Sequence, residues 1–119
     1  MTELEEIEEI KEFIQADKAL DSIPTMEQEL QAAIGYGQRV GEMLNQAEYD
    51  YQEAFAVSLE KLSNTEDETE TTRKAKLQNW TKDHKKAVQD LKLMKDSLRS
   101  IRMALIQATK TRREEMGMR

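Results

Sequence analysis

The chain has 119 residues, 38% hydrophobic and 35% charged, with a formal net charge of −6. That balance suits a single domain of thin, solvent-lapped helices rather than a deep globular core. The lack of Cys excludes disulfides and thiolate metal sites, and sparse β-branched residues with a single Pro argue against sheet. No apolar run approaches the roughly 20 residues that span a bilayer. The acidic N-terminus carries no secretory pattern, so a cytoplasmic protein without membrane contact is expected.

In chain order, Thr2 with Glu5 forms a T-x-x-E capping box. Leu4, Ile7, Ile10, Phe13, Ile14 and Leu20 then follow at mostly three- and four-residue spacing, which predicts a first helix from about residue 3 to 20. Its other faces carry six glutamates, more than the positive end of a helix dipole can use, and a basic neighbour would relieve their repulsion. Pro24 should enforce a break by residues 21 to 24.

A second capping signal, Thr25 with Gln28, opens a second helix expected from about 25 to 62. Its apolar face includes Leu30, Ala33, Gly37, Val40, Gly41, Leu44, Ala47, Tyr51 and Phe55. The small residues there suggest close approach by another helix, while Gly35, Gly37 and Gly41 each cost about 1 kcal/mol of helix propensity and predict a bend unless packing offsets them. The segment from Ser63 to Thr72 has no apolar residue and reads as the one loop.

The third helix, expected over about 70 to 113, organises the rest. From Leu77 its residues keep a seven-residue repeat: Leu77, Trp80, His84, Ala87, Leu91, Met94, Leu98, Ile101, Leu105, Ala108. A short loop between two long helices favours antiparallel neighbours. The expected fold is therefore all-α, a long antiparallel, coiled-coil-like helical hairpin with the acidic first helix packing on its far half. Tyr51 should then lie near Trp80, Leu44 near Leu91, Gly37 near Leu98 and Leu30 near Leu105, with Gly117 a helix stop.

Charge divides sharply along this plan. Residues 1 to 72 hold 4 basic and 19 acidic groups, and residues 73 to 119 hold 14 and 5. Lys82, Lys85, Lys86, Lys92, Lys95, Arg99 and Arg102 form a cationic line away from the seam that could track a phosphate backbone. Exposed aromatics for base stacking are missing from that line, so neutralisation by the first helix, or plain solvation, is the favoured reading over nucleic acid. Leu93, Met103 and Ile106 lie off the seam and suggest a second contact surface for the first helix or another subunit.

Little else suggests chemistry. His84, the only histidine, reads as a polar seam residue fixing register rather than a general base or metal ligand, because no companion His or Cys has ligand spacing. The Gly35-x-Gly37-x-x-x-Gly41 run lacks the preceding strand of a phosphate-binding turn, and the acidic stretch Glu66 to Glu70 lacks EF-hand spacing. No catalysis, cofactor or metal is expected.

Ala47-Glu48-Tyr49-Asp50-Tyr51, a polar turn, and the Leu91, Met94, Leu98, Ile101 repeat together resemble small helical-hairpin accessory proteins of tailed phages of Gram-positive bacteria. The resemblance covers roughly residues 26 to 110 and excludes the acidic first helix. It implies a phage accessory protein that acts by binding, in the host cytoplasm, among recombination and replication genes. Three functions are therefore expected in turn. The first is a non-enzymatic interaction or oligomerisation module with a protein partner or a second copy. The second is a nucleic-acid-binding accessory protein, and the third an inhibitor whose acidic helix occupies a host protein's basic groove.

Overall fold

The computed structural model describes residues 1–63 and 69–117. Among these the chain is all-α, with α1 (Glu3–Gln15), α2 (Ile23–Ser63) and α3 (Glu70–Glu115). α2 and α3 pack extensively against each other as a long antiparallel helical hairpin, on which the shorter acidic α1 packs. Most of the expected acidic loop, residues 64 to 68 and with them most of the Glu66 to Glu70 stretch, lies outside the described residues.

Each helix starts on a hydroxyl cap. The Oγ atoms of Thr2, Ser22 and Thr69 accept from the backbone N–H groups of Glu5, Thr25 and Thr72, all at 3.2 Å. Such caps satisfy one of the orphan donors of a first turn. The cap of α2 is thus Ser22 and not Thr25, one turn earlier than the sequence suggests. Pro24 is accommodated inside the first turn, where its missing N–H has no partner to lose. α1 in turn stops at Gln15 rather than near Leu20. Ala16 swings to extended backbone, and the Lys18 ammonium donates to the carbonyls of Phe13 and Ala16, satisfying helix-end acceptors. Leu20 is left exposed. At the other end, Gly117 adopts φ +70 just past α3, a left-handed stop as expected.

The chain divides into two compact units, Met1–Gly41 with Leu93–Arg119, and Glu42–Lys92. In the first, Ile10, Met26, Ala33, Val40, Met94, Leu98 and Leu105 form the buried core. α1 runs antiparallel to α2 there, since Glu6 meets Arg39 while Glu9 meets Tyr36. In the second unit Met43, Leu44, Leu62, Val88 and Leu91 are buried.

The inner edge of α2 follows alternating steps of four and three: Met26, Leu30, Ala33, Gly37, Val40, Leu44, Ala47, Tyr51, Ala54, Ser58. Every one of them is buried or half-buried. Phe55, expected on this face, is at its margin, its ring 6.3 Å from that of Tyr51. α2 runs unbroken through its glycines. A methyl built on Gly35, Gly37 or Gly41 would meet nothing within 4 Å, so no neighbour approaches closely enough to require glycine. Gly37 and Gly41 are therefore not receptors for bulky knobs of α3, and their low helix propensity, about 1 kcal/mol each, is not offset by close approach.

On α3 the expected seam holds from Leu91 to Leu105, where Leu91, Met94, Leu98 and Leu105 are buried and Ile101 half-buried. Upstream it fails by one position. Thr81 and Val88 are buried, whereas Trp80, Ala87 and His84 are exposed. The buried steps from Val88 to Leu91 to Met94 are two successive threes, a phase slip in the heptad. Val88 contributes more apolar surface than Ala87, and Thr81 is suited to burial because its hydroxyl donates to the Leu77 carbonyl at 2.8 Å. Ser58 and Thr109, also buried, bond the carbonyls of Ala54 and Leu105 in the same way, at 2.7 and 2.8 Å. Among the described residues the buried polar side chains are thus three self-satisfied hydroxyls and not His84.

Candidate functional site

Trp80 does not sit on the seam. It is 40% exposed, with the Lys61 ammonium 5.6 Å from its ring centroid, a cation–π distance. That contact places it opposite the last turns of α2, ten residues beyond Tyr51, the neighbour expected from sequence. His84 has no buried role either, so it neither fixes register nor meets a second ligand. Among the described residues no group of three or more His, Cys, Asp or Glu is arranged to hold a metal ion.

The cationic line is exposed throughout. In the second unit this concerns Lys82, Lys85, Lys86 and Lys92, and in the first Lys95, Arg99 and Arg102. Among the described residues none of these seven makes an ion pair or hydrogen bond. The acidic α1 does not neutralise them. Its carboxylates look instead to α2 and to itself: Glu6 accepts from Arg39, Glu9 accepts from the Tyr36 hydroxyl at 3.3 Å, and Glu8 lies 4.0 Å from Lys11. Sequence reasoning missed Arg39 and Tyr36 as the receiving pair. Both belong to a second face of α2, set about a quarter turn or more from its seam, and Phe13 completes it with its ring 5.0 Å from that of Tyr36.

This docking contact leaves an electrostatic signature. The Arg39 hydrogen bond, and then its charge, hold the Glu6 carboxyl below its ordinary value of 4.5. Partial burial, and then the Glu9 charge, raise the Tyr36 phenol. A depressed carboxyl contributes stability above its unfolded pKa and loses it as pH falls through the lower folded value. Acid titration of α1 docking should therefore show a limb below about pH 4.5 that Glu6→Gln flattens, read from the fluorescence of a probe placed on α1. An unchanged limb would mean the pair is not formed in solution.

Two of the open surfaces that the first unit presents among its described residues involve α3. One is the exposed side of α3 around Met103 and Ile106, 58% and 47% exposed and three residues apart, with Leu93, 66% exposed, ten residues before Met103. The second is a groove of about 800 Å³ between the start of α2 and the end of α3, lined by Glu27, Leu30, Ile106, Thr109, Lys110, Arg113 and Glu114. Arg113 donates to Glu27 at 2.7 Å across it. Large apolar side chains left in water in this way mark contact surfaces when they gather near one another.

Neither a protein-family model, nor a curated protein, nor a solved structure matches this chain. Among the described residues no helix is long and apolar enough to cross a membrane.

Proposed function

We propose that this chain is a non-enzymatic protein-interaction module that acts by binding a protein partner through apolar surface its own three helices leave uncovered. The observation that carries this reading is the exposure of Leu93, Met103 and Ile106 on α3. Covering what remains exposed of each against a partner would be worth about 1–2 kcal/mol. The resemblance to phage accessory proteins agrees with a function exercised by binding, and it would set that binding in a host cytoplasm. A double substitution, Met103→Glu with Leu93→Glu, tests the reading. Thermal stability should stay within about 0.5 kcal/mol of the parent because both sites are solvent-facing. Association, followed by sedimentation of the chain with host extract and cross-linking to the bound partner, should fall tenfold or more. Undiminished association by the double variant would refute the assignment of this surface.

A second reading, nucleic-acid binding, is favoured by one specific observation: among the described residues the seven cations from Lys82 to Arg102 make no ion pair. Phosphate contacts release counterions, so such binding would collapse between low and moderate salt. A gel shift at both salt levels separates the two readings, and failure to shift DNA or RNA even at low salt removes this one.

A further inference from the structure

We infer that α1 of one copy docks through its outward glutamates on the cations Lys95, Arg99 and Arg102 of a second copy, so that the chain assembles head to tail. The inference rests on the interaction-module reading and names the occupant of the α3 surface beside Met103.

Only one side of α1 is used by its own hairpin. Ile10 is buried and Glu6 pairs with Arg39, whereas Glu5, Glu8 and Glu12 are exposed. On a helix these three lie within about 40° of the direction opposite Ile10. Among the described residues Glu5 and Glu12 make no ion pair, and Glu8 has the exposed Lys11 at 4.0 Å. On α3, Lys95, Arg99 and Arg102 are exposed and make no ion pair there either. Two stripes of opposite sign therefore stand in water on the same unit.

Their spacings match. The acidic stripe steps from Glu5 by three residues and then four, and the basic row steps from Lys95 by four and then three. Laid antiparallel, Glu5 is level with Arg102, Glu8 with Arg99 and Glu12 with Lys95, each stripe spanning about 10 Å. The same register sets Leu4, 70% exposed, level with Met103, 58% exposed, just past the charged pairs. Each stripe has one charge of the other sign nearby, Lys11 on α1 and Asp96 on α3, which leaves the balance in favour of attraction. A phosphate backbone would answer the basic row and leave the acidic stripe without a counter-charge. A second copy answers both.

One pair of copies does not exhaust the contact. Tyr36, under α1, and Glu27 are nine residues apart, about half a circle on α2. Ile106, four residues beyond Arg102 on the same row, lines the groove on the Glu27 flank. The two stripes thus lie on opposite flanks of α2. A contact between them is heterologous, and it passes on to a third copy instead of closing as an isologous dimer.

Sedimentation velocity of the full chain should show species growing past the dimer as concentration rises, and added salt should dissolve them because the pairs are exposed. A chain with Glu5→Lys, Glu8→Lys and Glu12→Lys should associate about tenfold or more weakly, and so should one with Lys95→Glu, Arg99→Glu and Arg102→Glu. Mixing the two variants should restore assembly, since each stripe of one then meets the opposite sign on the other. A mixture that stays monomeric, with both variants as helical as the parent by circular dichroism, overturns the inference. Should the lysines unwind α1, glutamine at the same three positions replaces them, and undiminished association of that chain overturns it equally. A discrete dimer that grows no further would also count against it, as would an oligonucleotide that binds the row of a parent chain monomeric at every concentration. If the parent stays monomeric while Leu93 and Met103 still govern association with a host protein, the second copy falls and the interaction-module reading stands.

Discussion

Leu98→Ala should lower the unfolding free energy by about 2 to 5 kcal/mol, whereas Leu93→Ala, five residues earlier on the same helix, should change it by no more than about 0.5. Leu98 is 2% exposed and lies among the largest wholly buried side chains of the first unit. Removing its isobutyl group forfeits transfer free energy and leaves a cavity that two long helices can close only by shifting along their length. Leu93 stands on the solvent side of α3, so its truncation empties nothing. Urea denaturation of the two variants measures both effects, and comparable losses would mean that α3 is rotated about its axis so that Leu93 also faces the core. An expected loss of this size is a large fraction of what a small domain has to spare.

The same helix shows what was legible in the sequence and what was not. From Leu91 to Leu105 every residue at a heptad position, Leu91, Met94, Leu98, Ile101 and Leu105, is bulky and apolar, so the repeat stays in phase there despite Leu93, Met103 and Ile106 beside it. Upstream the choice lay between Trp80 and Thr81, and between Ala87 and Val88. Counting apolar types favours Trp80 and Ala87 because threonine scores as polar. The helix buries Thr81 and Val88 instead, since a threonine that donates to the carbonyl four residues back carries no unsatisfied group inward. Ser58 and Thr109 were hidden by the same bias, although a hydroxyl at the next four-residue step of an apolar seam is a readable signal.

The glycines misled differently. Gly37 falls on the inner edge of α2, where a small residue ordinarily implies a close neighbour, yet open space lies around it and around Gly41. Spacing alone reveals which edge a residue is on, not how far away the facing helix runs. Charge was the third case. The opposite signs of the two halves were plain in the sequence, and mutual neutralisation was the natural inference. The structure instead satisfies Glu6 and Glu9 with Arg39 and Tyr36 from within the acidic half; Arg113 does pair with Glu27 across the halves, whereas the cations from Lys82 to Arg102 make no ion pair among the described residues. One arginine at position 39, in a segment with 4 basic residues among 72, is too small a feature to outweigh a count.

The docking of α1 does not rest on that ion pair alone. Ile10→Ala should free α1 from the hairpin while the hairpin itself survives. Ile10 is 1% exposed and is the one buried residue of its helix, and truncating a buried isoleucine costs about 2 to 5 kcal/mol. Nothing within α1 can absorb such a loss. At 13 residues it is near or below the length at which isolated helices hold together in water, and its six glutamates repel one another. Its order is therefore borrowed from α2, through Ile10, the Phe13–Tyr36 ring contact and the Glu6–Arg39 pair. Hydrogen exchange should show α1 amides losing protection by about thirtyfold or more, with protection retained around Val40 and Leu98, which belong to the hairpin seam. A uniform loss across all three helices would mean instead that α1 is integral to the cooperative unit. Retained α1 protection would mean that the ring contact and the ion pair suffice to hold it. The expected result would make α1 a detachable acidic helix, able to expose Tyr36 and Arg39 without disturbing the rest of the chain.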